Sequence, residues 1–565
     1  MGRAPSWSLP SLPNVVEPVR RIRREPNAPA DPAASFRTVQ GGTATDDAAG
    51  TDDALAPGTF MALVAMGLGV FVIANDFTAL NVALPAIEGD LDADVGSVQW
   101  VINAYALVFG MAIVSGGRIA DMFGRRRVFF IGAVLFAAFS AIGAAAPDLG
   151  VLIAARVGMG VGGALMWPAI LGMTFAALPE SKAGLAGGLI LGVAGIGNAI
   201  GPLIGGVLTE ALSWRWIFVL NVPVAAIAMF VTWRKVHQPQ ELADERIDYA
   251  GMATISGALV LLLLALDQAV DWGWADARVI AMLVLAVVLM ASFAVIERRA
   301  GERALIPPDV IANRRFRSAC LAVLMLSAVF FSAVLYVPQF FEKILGYSTV
   351  EAGLGMLPML AAFAITSFIA GPLYNKAGMR IVVGAGTGMI ALGSVLLAIL
   401  IGPDAGFTDV APGLLAIGIG CGLFYPSVTT AAVTALDAAR SSLAGGIVYM
   451  FQIAGGAVGL GVSTAIFTSS SESQLGDLVS DQTGFTLTGH EQAVLHGTLA
   501  GTDAAAGALA ELPARVAAEI HRLVADSFAH GVQTTFRVIA AVAIAGFLVA
   551  IIDLGRTPDP EDPPG

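Results

Sequence analysis

Charge is in short supply in this chain: Asp, Glu, Lys and Arg make up 13% of its 565 residues, against about a quarter in an ordinary soluble domain. Only five histidines are present, and His490, His496, His521 and His530 are scattered over one segment without ligand spacing, while His237 stands alone. A histidine-built metal centre is therefore not expected. The two cysteines, Cys320 and Cys421, each fall inside an apolar run. They offer neither a disulfide framework nor a thiolate cluster and read as packing residues. No Gly-x-x-x-x-Gly-Lys phosphate loop occurs, which argues against direct nucleotide drive. Paired carboxylates or His-rich spans suited to intramembrane hydrolysis are also missing, so a membrane-embedded enzyme or sensor is the remotest reading. No nucleic-acid partner, metal or organic cofactor is expected.

What the chain has instead is apolar sequence: 56% of its residues are hydrophobic, and the mean hydropathy is +0.78. Runs of roughly 20 apolar residues recur, each long enough to cross about 30 Å of hydrocarbon as a helix. Lipid leaves backbone groups no partner but one another, so these runs are expected to be helical. Spans fall near 59–87, 98–117, 128–147, 150–177, 184–208 and 215–235, then 250–268 and 278–296, then 316–341, 350–373, 379–402, 411–435, 442–467 and 534–554. The expected fold class is thus all-α and polytopic, with about fourteen spans.

The stretch 1–58 is rich in Pro, Ala, Ser and Asp, has no apolar run and reads as a disordered tail. Lys and Arg in short connections set orientation. Arg118, Arg125, Arg126 and Arg127 follow the second span, Arg234 and Lys235 the sixth, and Arg298, Arg299, Arg303, Arg314, Arg315 and Arg317 surround the link between the eighth and ninth. All fall on one side if both termini, including the tail 555–565, are cytoplasmic. The segment 468–533 then reads as an external loop with eight acids against Arg515 and Arg522, and Glu511–Phe528 within it has the spacing of an amphipathic helix. Such a loop is a place for a periplasmic partner.

An internal repeat divides the spans. Gly117, Asp121, Gly124 and Arg126 match Gly371, Asn375, Gly378 and Arg380 at 371 − 117 = 254, and Gly201 and Gly205 match Gly455 and Gly459 at 455 − 201 = 254. Two six-helix halves follow, 59–235 and 316–554, with the pair inside 236–315 as an insertion. That pair is expected to flank the two-fold core without lining a substrate path, and Asp267, close to Asp271 and Trp272, is expected at the interface.

Two charges stand deep in apolar sequence. Asp76 lies about 17 residues, or roughly 25 Å, into the first span, and Arg156 lies a few residues into the fourth. Their depths allow contact. Intramembrane charges are costly and usually functional or paired; burial opposes ionisation of a carboxylate while a neighbouring arginine favours it, a balance suited to loading and releasing a proton. Gly117-Arg-Ile-Ala-Asp121-Met-Phe-Gly124-Arg125-Arg126-Arg127 joins two spans on the basic side, and Asp121 can face a helix N-terminus or an arginine. In the fifth span, Gly195-Ile-Gly197-Asn198-Ala-Ile-Gly201-Pro202-Leu-Ile-Gly205-Gly206 combines a bend with a small-residue face for close helix packing.

The Gly-Asp-Gly-Arg loop resembles the signature loop of the major facilitator superfamily. The fifth-span pattern resembles the motif of that family's exporters, and Arg156 among its glycines resembles the buried arginine of proton-driven members. With Asn75-Asp76 through Pro85, Trp214-Arg215-Trp216 through Asn221-Val-Pro223, and fourteen spans, residues 59–554 resemble the drug:proton antiporter subfamily with two extra helices. The resemblance implies proton coupling at Asp76 and Arg156 and a conformational lock from Gly117, Asp121, Gly124, Arg125 and Arg126. It implies an exporter motif from Gly197, Gly201, Pro202, Gly205 and Gly206. The implied activity is export of hydrophobic compounds across the inner membrane, driven by a proton gradient. Export of a lipid or glycolipid precursor would use the same fold.

Overall fold

The computed structural model describes residues 58–93, 95–236, 248–301, 304–483 and 514–554. They form helices α1 (Thr59–Leu91), α2 (Val95–Phe123), α3 (Arg125–Ala144), α4 (Leu149–Ala177), α5 (Ala183–Ala211) and α6 (Arg215–Lys235). Next come α7 (Tyr249–Trp272), α8 (Ala277–Ala300) and the short α9 (Pro308–Ala312). The series ends with α10 (Arg314–Lys343), α11 (Thr349–Gly355), α12 (Leu357–Ala377), α13 (Met379–Leu400), α14 (Phe407–Thr434), α15 (Ser441–Thr483) and α16 (Ala514–Leu554). Fourteen of the described helical segments are long and apolar enough to cross a membrane, with α11 and α12 counting as one. The protein is a multi-pass membrane protein.

Helices α1–α6 pack on one another, and α10 packs on α14, α15 and α16 in a second bundle with α12 and α13. The bundles meet along α2 with α15 and along α5 with α12 and α14. Basic connections gather at one end: Arg126 Nη2 donates to the Trp233 carbonyl at 2.8 Å, and Asn313 Nδ2 to the Ala435 carbonyl at 2.8 Å. Glu297, at the end of α8, accepts from the Leu305 and Ile306 amides at 3.1 and 3.0 Å and so fastens the linker to the inserted pair.

The repeat is structural. Gly124 and Gly378 both have positive φ, 95° and 82°, a conformation that costs glycine nothing and joins consecutive helices tightly. A β-carbon on Gly117 would stand 2.7 Å from the Ser442 carbonyl oxygen and 3.0 Å from Leu443 Cα; one on Gly371 would stand 2.9 Å from Leu185 Cα. Each bundle thus presses the end of its second long helix onto the first turn of a helix in the other.

Two expectations need correction. The segment 468–533 is not one loop: α15 runs on to Thr483 and α16 begins at Ala514, while 484–513 lies outside the described residues. At about 1.5 Å per residue, the 43 residues of α15 span roughly twice the hydrocarbon core. The extension is held by apolar packing of Leu475, Leu523, Phe528 and Val532, all buried. The amphipathic stretch is the start of α16, not a separate helix. Second, the inserted pair is not wholly peripheral. α7 packs on both α2 and α15, with Ser256 Oγ donating to the Met111 carbonyl at 2.9 Å, and Leu263, Leu264, Leu266 and Gln268 line the central cavity. The Asp267 side chain lies outside the described residues.

Candidate functional site

Asp76 and Arg156 are both fully buried and form an ion pair, Arg156 Nη1 to Asp76 Oδ2. The carboxylate's other oxygen accepts from Asn221 Nδ2 of α6 at 2.9 Å, and the same amide lies 3.2 Å from Ser140 Oγ of α3. Ser140 in turn donates to the Phe218 carbonyl at 2.9 Å. On the arginine side, Nε donates to the Val101 carbonyl of α2 at 2.7 Å, and the guanidinium carbon lies 4.2 Å from the centre of the Tyr105 ring. Five helices, α1, α2, α3, α4 and α6, therefore converge on one charge pair. Breaking a buried pair by removing one member leaves an uncompensated charge, which makes this node costly to disturb.

At the basic end, Asp121 serves as a cross-bundle cap. Its Oδ2 accepts from the Leu443 amide at 2.8 Å and its Oδ1 from the Ser442 amide at 3.3 Å, in the first turn of α15. A carboxylate there satisfies free N–H groups and meets the positive end of the helix dipole. Arg125 Nε donates to Asp121 Oδ1 at 2.9 Å, and its remaining nitrogens reach the Gly172 carbonyl at 3.2 Å and the Ala438 and Ala439 carbonyls at 2.7 and 3.0 Å. One arginine thus ties α4 and the turn before α15 to the carboxylate.

The glycine face of α5 packs on α1 around Asp76. β-Carbons on Gly197, Gly201 and Gly205 would approach Ala74 Cβ, Thr78 Cβ and Ala79 Cα to 3.0 Å each. Only glycine allows the two backbones this close. Pro202 lies within α5 and borders the cavity.

Between the bundles lies a cavity of about 1230 Å³. It extends from Trp167 and Tyr449, whose rings meet at 4.4 Å across the two bundles, to Ser97 and Gln99 at the start of α2. That is the end opposite Asp121. Phe77, Trp100, Phe330, Phe363 and Tyr425 offer aromatic faces, while Asn81, Asn103, Asn198, Gln339 and Gln452 offer carboxamides. Such a wall suits apolar bodies with a few hydrogen-bonding groups.

Of the residues singled out from sequence, Asp76 with Arg156, and Gly117 with Asp121 and Arg125, are brought together. Arg126 turns away from the cross-bundle contact and donates to the Trp233 carbonyl in its own bundle. Gly206 makes no close approach, since a β-carbon there would meet only Val82, at 3.7 Å. Sequence reasoning missed Asn221, Ser140 and Tyr105 as partners of the charge pair. Asn221 lies in the apolar run that follows Trp214-Arg215-Trp216, and an amide deep in such a run is the available signal. No group of three or more metal-ligating side chains occurs among the described residues.

Residues 66–460 match the family model described as Major Facilitator Superfamily. The chain is 29% identical to the tetracenomycin C resistance and export protein of Streptomyces glaucescens over 89% of this chain and 93% of that protein. It is 33% identical to a puromycin resistance protein of Streptomyces alboniger over 74% and 84% of the two chains. To the multidrug resistance protein Stp of Mycobacterium tuberculosis it is 33% identical over 72% and 76%. The crystal structure of the human organic anion transporter MFSD10 (TETRAN) covers 87% of this chain and 100% of its own at a TM-score of 0.58 and 12% identity, a likeness of fold.

Proposed function

Because the chain belongs to the Major Facilitator Superfamily, with two six-helix halves and two further central helices, we propose that it is a proton-coupled antiporter. In this reading it exports hydrophobic or amphipathic compounds across the cytoplasmic membrane. The observation that carries it is the Asp76–Arg156 pair, buried one residue away from the cavity-lining Phe77. A titratable acid at this place can change partner when the bundles rock about the cavity, which lets proton and substrate use the same conformational cycle. The antibiotic-resistance and export names of the relatives support the direction of transport. With the basic end in the cytoplasm, as the positive-inside pattern favours, the lock at Asp121 closes the inner side and the cavity faces outward.

Proteoliposomes under an imposed proton gradient test direction, driving force and substrate together, with fluorescent dyes and labelled lipids as alternative cargoes. Asp76→Asn keeps an oxygen that accepts hydrogen bonds but removes the titratable charge. It is expected to insert normally, bind cargo and lose uphill export. Retained uphill transport with undiminished proton counterflow defeats the assignment, and movement of lipids but not dyes redirects it to lipid export.

A further inference from the structure

We propose that Tyr105 is a positioning residue for proton exchange at Asp76: its ring face holds the Arg156 guanidinium inside the bundle while the carboxyl is protonated. This rests on the proton-coupling reading above. Arg156 is fully buried, and its charge is balanced by the Asp76 carboxylate as long as that group is ionised. Proton uptake removes the counter-charge. What then remains around the guanidinium is the Val101 carbonyl at 2.7 Å, the Met159 sulfur at 3.8 Å, the Phe218 ring at 6.0 Å and the Tyr105 ring at 4.2 Å. Of these, the Tyr105 ring gives the nearest aromatic face, and the negative face of an aromatic ring attracts a desolvated cation strongly. Among the described residues, Arg156 is the charged group bonded to Asp76: α4 supplies Arg156, α6 supplies Asn221, α3 reaches it through Ser140, α2 brings Tyr105 to the pair, and α5 meets this part of α1 with Gly197 and Gly201.

Two further observations separate the ring from the phenol. The Tyr105 hydroxyl is buried without a hydrogen-bond partner among the described residues, so the oxygen is not what holds the site. The ring packs edge-on against Phe77 at 4.7 Å and lies 5.9 Å from Phe109. Phe77 lines the cavity and Phe109 meets both Trp167 and Tyr449, at 6.5 and 5.7 Å. A chain of aromatic rings therefore links the cavity wall to the charge pair, with Tyr105 as the member that touches the arginine.

The test is the pH titration, in the full-length protein in lipid nanodiscs, of the protonated-carboxyl infrared band that Asp76→Asn abolishes. Tyr105→Phe is expected to leave the midpoint in place. Phenylalanines carrying one, two and three ring fluorines at position 105 keep the shape of the side chain while draining the ring face. They are expected to move the midpoint stepwise to lower pH, reaching about a tenfold loss of proton affinity. A flat fluorination series, or a shift with Tyr105→Phe alone, overturns the role of the ring face. A carboxyl band that Asp76→Asn leaves untouched strikes the coupling assignment itself, and the role of Tyr105 falls with it.

Discussion

The two bundles share a backbone plan and divide their chemistry unequally. At the offset of 254 residues, Asp76 corresponds to Phe330, Arg156 to Val410, Asp121 to Asn375 and Arg125 to Met379, whereas Gly117, Gly124, Gly201 and Gly205 are glycine in both halves. The glycines set how closely helices approach, and that geometry is needed twice. Charge is needed once. In the second bundle the place of the ion pair is taken by aromatic packing, with Phe330 against Phe363 at 5.9 Å and Tyr425 at 6.4 Å, and by a neutral bond of 3.0 Å between Ser327 Oγ and Tyr425 Oη. The second lock is likewise neutral: Asn375 Oδ1 accepts from the Gly184 amide at 3.2 Å, at the start of α5. Among the described residues, the two buried ion pairs thus belong to the first half, and the matching places in the second are neutral.

The largest effect that this division predicts comes from emptying one side of the charge pair. Arg156→Leu leaves Asp76 buried beside Asn221 alone and should cost about 3–5 kcal/mol, whereas Val410→Ala at the matching site should cost about 1–3 kcal/mol. Removing both charges, with Asp76→Leu added, should recover much of the first loss, because a charge-free pair pays no desolvation. Thermal unfolding read by a thiol-reactive fluorophore suits all three variants, since Cys320 and Cys421 are buried in the folded chain. Equal losses in the two halves would contradict the asymmetry.

The locks should differ next. Asp121→Asn replaces a charged acceptor of two amides and an arginine, and hydrogen bonds to charged groups contribute about 1.5–3 kcal/mol. Asn375→Ala removes one neutral bond, a loss of about 0.5–1.5 kcal/mol. Spin labels at Phe123 and Ile381, both exposed, report the separation of the two halves. The first variant should populate a longer distance clearly and the second only slightly; the reverse order would move the principal lock to the other half.

The glycines should show no such asymmetry. Gly201→Ala and Gly455→Ala each drive a methyl group into a facing helix, at 3.0 Å from Thr78 Cβ and 2.8 Å from Leu324 Cα, and overpacking of this kind costs about 1–3 kcal/mol. Similar drops in unfolding temperature are expected, and a tolerant site in either half would break the symmetry of the scaffold.

How much of this could be read from sequence follows from which physical signal each feature leaves. Spans are visible because hydrocarbon demands long apolar runs, and Asp76 and Arg156 are visible because charge in such a run is expensive. A carboxylate in the connection after the second span points to a helix N-terminus or an arginine, and Asp121 meets both. Tyr105 left no signal, since a tyrosine in a span has many uses and only its distance to Arg156 distinguishes it. The docking of α7 was misjudged because a helix outside the repeat inherits no position from it. The reach of α15 to Thr483 was missed because hydropathy reports on lipid, while a polar helix beyond the membrane keeps its shape through packing.

The smallest effect is the most pointed test of what the fifth-helix motif is for. If its glycines matter as a sequence pattern, every one of them should resist substitution; if they matter through contact, only those facing α1 should. Gly206 separates the two, because a β-carbon there has only Val82 nearby, at 3.7 Å, an ordinary van der Waals distance. The second bundle offers a natural control, since 206 + 254 = 460 and residue 460 is leucine. A side chain is therefore already accommodated at the matching site. Alanine in place of a helical glycine also relieves a backbone-entropy cost of roughly 0.5–1 kcal/mol. Gly206→Ala is accordingly expected to leave unfolding temperature and transport within error of the parent, or to raise stability slightly, while Gly205→Ala one residue earlier lowers both by pressing on Ala79, whose Cα would lie 3.0 Å from the new carbon. Loss of transport in Gly206→Ala with normal stability would mean that this glycine acts in a conformation other than the one described, with α5 turned so that position 206 meets a neighbouring helix.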